Sequence, residues 1–156
     1  MVSSQASLEE RTVSREADSV ETSKALQVGA ISGLVGGSVF GVQMAVGGML
    51  PMVASMIGSE DIIIGFILHL LISGFIGATF GFIASRFVPT NLLAQTSAGI
   101  VYGIVWWILG ALLIMPLVLG MGDMVFQVGE MQLMSLIGHI IFGIVMAASY
   151  VALRGK

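Results

Sequence analysis

ALQVGAISGLVGGSVFGVQMAVGGML, residues 25–50, contains no charged side chain and only two Ser and two Gln as polar ones. Crossing the hydrocarbon of a bilayer takes about 20 apolar residues in a helix, and this stretch exceeds that. It lacks the two-residue alternation of a membrane barrel strand. A chain in lipid must satisfy its own backbone polar groups, so a helix is the spanning form left to it. Gly29, Gly33, Gly37 and Gly41 recur every fourth residue, followed by Ala45. Residues four apart share a helix face, and small side chains there let a second helix backbone come close. The stretch predicts a membrane helix packed tightly along one face.

Three further stretches of the same kind follow, Ile62 to Ala84, Leu92 to Leu119 and Leu133 to Leu153. They are separated by residues 58–61 (GSED), 85–91 (SRFVPTN) and 120–132. Small residues recur at four-residue steps in the second (Ser73, Gly77, Gly81) and fourth (Gly143, Ala147), and the third carries Gly99, Gly103 and Gly110. Pro51 and Pro116 lie near one end of the first and third, where proline ends or kinks a helix. Residues 52–58 (MVASMIG) are apolar but too short to span, and predict a bent extension at the interface. The expected fold is all-α, a polytopic membrane protein with four transmembrane helices.

Composition agrees. The 156 residues are 56% hydrophobic and 10% charged, with a mean hydropathy of +1.02, whereas soluble domains carry about 25% charged residues. A net charge of −3 without a basic patch argues against a nucleic-acid partner. Cysteine is absent, which removes disulfides, thiolate metal sites and thiol nucleophiles. Residues 1–24 (MVSSQASLEERTVSREADSVETSK) are polar and charged and resemble no cleavable signal; composition predicts a solvated, disordered tail, with a short partner-binding helix carrying Leu8, Val13, Ala17 and Val20 as the alternative, ahead of a membrane domain over 25–156.

The basic residues set the expected orientation. Arg11, Arg15, Lys24, Arg86, Arg154 and Lys156 all fall on one side of a four-span chain, and the two loops on the other side hold Glu60, Asp61, Asp123 and Glu130. Lys and Arg are retained in the cytoplasm, so both termini are expected inside, with the chain in the cell (inner) membrane.

The two halves resemble each other. GLVGGSVF at 33–40 parallels GIVYGIVW at 99–106, Met49-Leu50-Pro51 parallels Ile114-Met115-Pro116, and His69 parallels His139, at offsets of 66, 65 and 70. Two tandem two-helix repeats are expected, over about 25–88 and 92–154, related by a pseudo-twofold axis along the membrane normal. The segments MLPMVAS, HLLISGFIGATFG, YGIVWWILGALLIMP and GHIIFG, with the WW…MP run the most distinctive, resemble a family of small, glycine-rich integral membrane proteins of bacteria and archaea without an established activity. The resemblance covers about residues 27–153 and implies the four-helix pattern and a cell membrane. It supplies no catalytic residues.

Chemistry-bearing residues are few. GLVGG at 33–37 lies inside a membrane helix without a preceding strand, which excludes a nucleotide loop. No Ser–His–acid set is at hand, because the acids beyond the tail are confined to loops; no enzyme is expected. His69 and His139 each sit about seven residues inside their helices, in register with the small faces, and Gln43 reaches a similar depth on the first helix. Polar groups at membrane depth are costly and mark a candidate site. Three readings stand side by side: neutral histidines hydrogen-bonded to a carbonyl, Gln43 or an indole N–H, bis-histidine ligation of haem or a metal, and proton or ion conduction. Methionine adds a copper reading, since Met49, Met52, Met56, Met115, Met121, Met124, Met131 and Met134 gather toward the acidic side and thioethers bind Cu(I); flexible apolar filling is the simpler one. Trp106 and Trp107 stand in mid-span, where one indole is expected to face inward. The function expected first is a non-enzymatic membrane subunit, scaffold or permeation module acting as a homo-oligomer or in a larger membrane complex; the alternative is a haem- or metal-binding membrane protein.

Overall fold

The computed structural model describes residues 2–155, with side chains described for Arg11 and from Val13 onward. Helices α1 (Val2–Val46), α2 (Leu50–Ser55), α3 (Ile62–Phe87), α4 (Leu92–Trp106), α5 (Met115–Val118) and α6 (Glu130–Arg154) follow in order. A π-helical segment, Trp107–Ile114, joins α4 to α5, and a short 3₁₀ turn, Gly122–Met124, follows α5. No strand occurs among the described residues. Four helices are long and apolar enough to cross a membrane, at Val13–Val46, Ile62–Phe87, Leu92–Val118 and Glu130–Arg154. The protein is thus a multi-pass α-helical membrane protein. We call the end carrying Lys24, Arg86 and Arg154 the basic end, and the end carrying Glu60, Asp61, Asp123 and Glu130 the acidic end.

The polar tail runs on from the first span, α1 being helical from Val2. No Gly or Pro interrupts residues 2–28, and a helix already nucleated by a membrane span extends at little cost, one hydrogen bond per added residue. The tail's described side chains are almost all exposed up to Lys24, and Arg86 holds its last turn by donating from Nη2 to Thr22 Oγ1 at 2.8 Å.

Local chemistry explains the breaks. Gly48, at φ +66°, allows the reversal between α1 and α2, and Pro51 opens α2. Asp61 caps α3, its carboxylate accepting from Ile63 N (2.8 Å) and Ile64 N (3.0 Å). Val88, preceding Pro89, is extended and ends α3. Asn91 caps α4 through Ala94 N at 2.9 Å. Pro116 accounts for the change of winding before α5. It has no N–H for the carbonyl four residues back, at Leu112, and its ring crowds that carbonyl; the preceding two turns widen to π-helix. The Leu112 oxygen is recovered from outside the helix by Phe126 N at 3.0 Å. Phe126 reaches it in the left-handed region, at φ 57°.

The helices pack where the glycines are. A Cβ on Gly33 would overlap Ser73 O and stand 2.7 Å from Gly77 Cα; one on Gly29 would overlap Gly77 O. In the second half a Cβ on Gly103 would overlap His139 O, and one on Gly99 would overlap Gly143 O. The stripe of α1 therefore meets α3, and that of α4 meets α6, backbone against backbone. A second face of α1 serves α6: Gly36 lies against Phe142, and Phe40 lies over Gly138. Phe40, Phe80, Phe142, Met146 and Tyr150 are the buried centre. Contacts between the halves are unequal. α1 runs along α6, whereas α3 and α4 barely touch and are tied mainly by Thr79 Oγ1 and Tyr102 Oη at 2.6 Å.

Candidate functional site

The gap left where α3 and the π segment diverge is a cavity of about 290 Å³ in the acidic-end half. Ile76 and Trp106 stand in its wall; Ile76 O accepts from Tyr102 Oη at 3.2 Å, and the Tyr102 ring packs on Phe80. α2 forms one wall. It can dock there because Gly65 of α3 has no side chain where the Leu50 carbonyl sits. Pro51 and Gly58, at φ 76°, bound the short helix. The π segment supplies Gly110 and Ala111, whose small side chains leave the space open, and α6 supplies Met131, Gln132, Ser135 and His139. Met131, Ser135 and His139 are four apart and so line one face of α6.

The histidines take different places. His69 is buried, and its Nε2 donates to Gly37 O at 3.0 Å, a bond across the α1–α3 crossing. His139 lies on the cavity wall. Its Nδ1 approaches Ser135 O at 2.8 Å and Ser135 Oγ at 3.3 Å. A carbonyl only accepts, so Nδ1 carries the proton, and in the neutral ring Nε2 is left as an acceptor. Phe40 stands between the two rings, edge-on to both, with centroid separations of 5.2 Å to His69 and 4.9 Å to His139. Gln43 joins neither histidine; its Nε2 donates to Met134 O at 2.9 Å and ties α1 to α6. Of His69, His139 and Gln43, His69 and Gln43 bond across helices, to α1 and α6 respectively, His139 bonds within α6, and His139 alone of the three lines the cavity.

The tryptophans divide the same way. Trp106 lines the cavity and meets Tyr102 edge-on at 6.2 Å, while Trp107 donates Nε1 to Gln132 O at 2.9 Å. Of the methionines singled out from sequence, Met49, Met52, Met56, Met115 and Met131 reach the cavity wall, whereas Met121, Met124 and Met134 are exposed elsewhere. Met44, not among those singled out, is also in the wall. No three His, Cys, Asp or Glu side chains come together as a metal-binding group among the described residues.

No family model, no curated protein and no solved structure matches this chain. The functional reading therefore stands on the cavity.

Proposed function

We propose that this protein is a non-enzymatic membrane module that binds a small ligand in the acidic-end cavity. The observation that carries the reading is the cavity itself: bounded by α1, α2, α3, α6 and the span that runs from α4 through the π segment to α5, apolar in most of its wall, with Gln132, Ser135 and His139 as its few polar groups. Such a pocket, with few convergent polar groups, is the ordinary form of a small-molecule site. Its volume of about 290 Å³ is roughly twice that of an engineered cavity of about 150 Å³ that takes up benzene. The lack of any acid, base or nucleophile in the wall other than His139 and Ser135 supports a non-enzymatic role.

In this proposal the basic end faces the cytoplasm, both termini are inside, and the cavity opens toward the outer side of the cell membrane. The two halves derive from a duplicated two-helix unit whose glycine crossings are kept, while the contacts between units have diverged. A homo-oligomer or larger membrane complex would cover part of the apolar flanks. The buried bond of His69 to α1 and the bond of Gln43 to α6 favour structural roles for both.

Trp106 reports on the cavity once Trp107→Phe leaves it as the only tryptophan. In lipid nanodiscs, iodobenzene should quench its emission saturably, with one site per chain. Ala111→Phe, which fills the cavity, should reduce quenching to the unsaturable part due to partition into lipid. Unsaturable quenching of equal strength in both proteins would overturn the reading.

A further inference from the structure

The wall of the cavity carries a chemical preference, and the inference drawn from it rests on the ligand-binding reading above. Met44, Met49, Met52, Met56, Met115 and Met131 all line it, out of 11 methionines in the chain. Methionine outnumbers the aliphatic residues of the wall, which are Ile72, Ile76, Ile114 and Ala111, although Leu and Val are abundant in these helices. Met49, Met52 and Met56 fall at i, i+3 and i+7, one face of α2 and its flanks. Met131 and His139 approach from α6, and Met115 from the start of α5. The long, freely rotating thioether arms can converge within so small a space without moving the backbone.

His139 is prepared as a donor. Its Nδ1 is engaged by Ser135 O at 2.8 Å, the way a metal-bound imidazole has its second nitrogen fixed by a carbonyl. That fixes the tautomer with the Nε2 lone pair free. No carboxylate, Lys or Arg lines the wall, so a hard divalent cation would find no charged oxygen and an anion no counter-charge. Thioether and imidazole together suit a soft ion. The loops at this end hold Glu60, Asp61, Asp123 and Glu130 and no Lys or Arg, a negative field that raises the local concentration of cations.

We propose that the cavity is a binding site for a soft monovalent cation, Cu(I) or its congener Ag(I), held by thioethers of α2, α5 and α6 and by Nε2 of His139. Binding changes no oxidation state; the ion exchanges its previous ligands for neutral sulfur and nitrogen.

Ag(I), which does not cycle between oxidation states under these conditions, is the probe. Full-length protein in nanodiscs, dialysed against buffered Ag(I), should retain one silver per chain by elemental analysis. X-ray absorption at the silver edge should show a first shell of sulfur with one nitrogen. The triple variant Met52→Leu, Met115→Leu, Met131→Leu keeps apolar volume and should bind at least ~100-fold more weakly. Met121→Leu, Met124→Leu, Met134→Leu, outside the cavity, should bind as the parent does. His139→Gln should remove the nitrogen from the first shell. No stoichiometric silver, equal loss in both triple variants, or an oxygen-only shell overturns the proposal. The absorption measurement on the parent decides the matter even where a variant fails to fold. Iodobenzene binding that persists when silver does not bind would leave the ligand-binding reading standing and remove only the metal; loss of both would remove both.

Discussion

Gly77→Ala tests the packing on which the whole bundle depends. A Cβ at residue 77 would stand 2.5 Å from Gly33 Cα and 2.7 Å from Gly33 N, and would overlap the Gly29 carbonyl oxygen. Carbon atoms in good contact lie about 3.5–4.0 Å apart, so α1 and α3 must part by roughly 1 Å. Overpacking usually costs about 1–3 kcal/mol. Here every obstructing atom is backbone, so no side chain can turn aside and the upper end, about 3 kcal/mol, applies. Alanine returns about 0.8–1.0 kcal/mol of helix propensity. The net loss of about 2 kcal/mol corresponds to roughly a 30-fold shift toward the unfolded state. Gly74→Ala, on the same helix, is the control: its Cβ would meet only Leu34 Cδ2 at 3.5 Å and Cγ at 3.7 Å, ordinary contacts, so propensity alone should leave it neutral or slightly stabilised. Reversible unfolding in mixed micelles, followed by circular dichroism, gives both values. If Gly77→Ala were as stable as Gly74→Ala, the close backbone approach of α1 and α3 would be refuted.

The orientation is open to single cysteines, since the chain has none of its own: Ser59→Cys or Asp123→Cys should react with an impermeant thiol reagent on intact cells, Ser4→Cys or Thr90→Cys only after lysis, and the reverse pattern would invert the topology. Trp107→Phe removes the donor to Gln132 O and should destabilise the protein by about 0.6–1.7 kcal/mol, the range measured for hydrogen bonds between membrane helices; the same micelle unfolding reads it, and an unchanged midpoint would mean the bond contributes nothing.

The spans were legible because lipid imposes a coarse rule. Long uncharged stretches broken by Glu60, Asp61, Arg86 and Asp123 can hardly fold otherwise, and the four candidate spans fall where those breaks put them. The glycine faces were legible as well, since a four-residue period in α1 has few meanings other than a helix contact. What escaped was the second face. Gly36 and Phe40 lie one step round from the stripe and carry the contact with α6, but a single glycine and a phenylalanine make no period.

The π segment left a signal that could be read. Pro116 orphans the carbonyl of Leu112 wherever the helix continues through it, and a partner for that oxygen must then come from elsewhere, here Phe126 N. Widening the helix at that point, with Gly110 and Ala111 on its inner side, is what separates this span from α3 and leaves room for the cavity. The histidines illustrate the opposite case. Their depth and small-residue registers are sequence properties, but whether they meet depends on how α1 is rotated against α3 and α6. Phe40, placed by that rotation, fills the space between them. The same rotation leaves His139 in the wall of a cavity that six methionines from four different segments also line. Sequence shows that thioethers are plentiful at the acidic end; only the docking of α2 onto Gly65 and the widening ahead of Pro116 make some of them neighbours and send Met121, Met124 and Met134 elsewhere. The candidate site is thus a product of two backbone irregularities, the docking of α2, which opens at Pro51, onto Gly65 of α3 and the widening ahead of Pro116, acting on side chains that are individually ordinary.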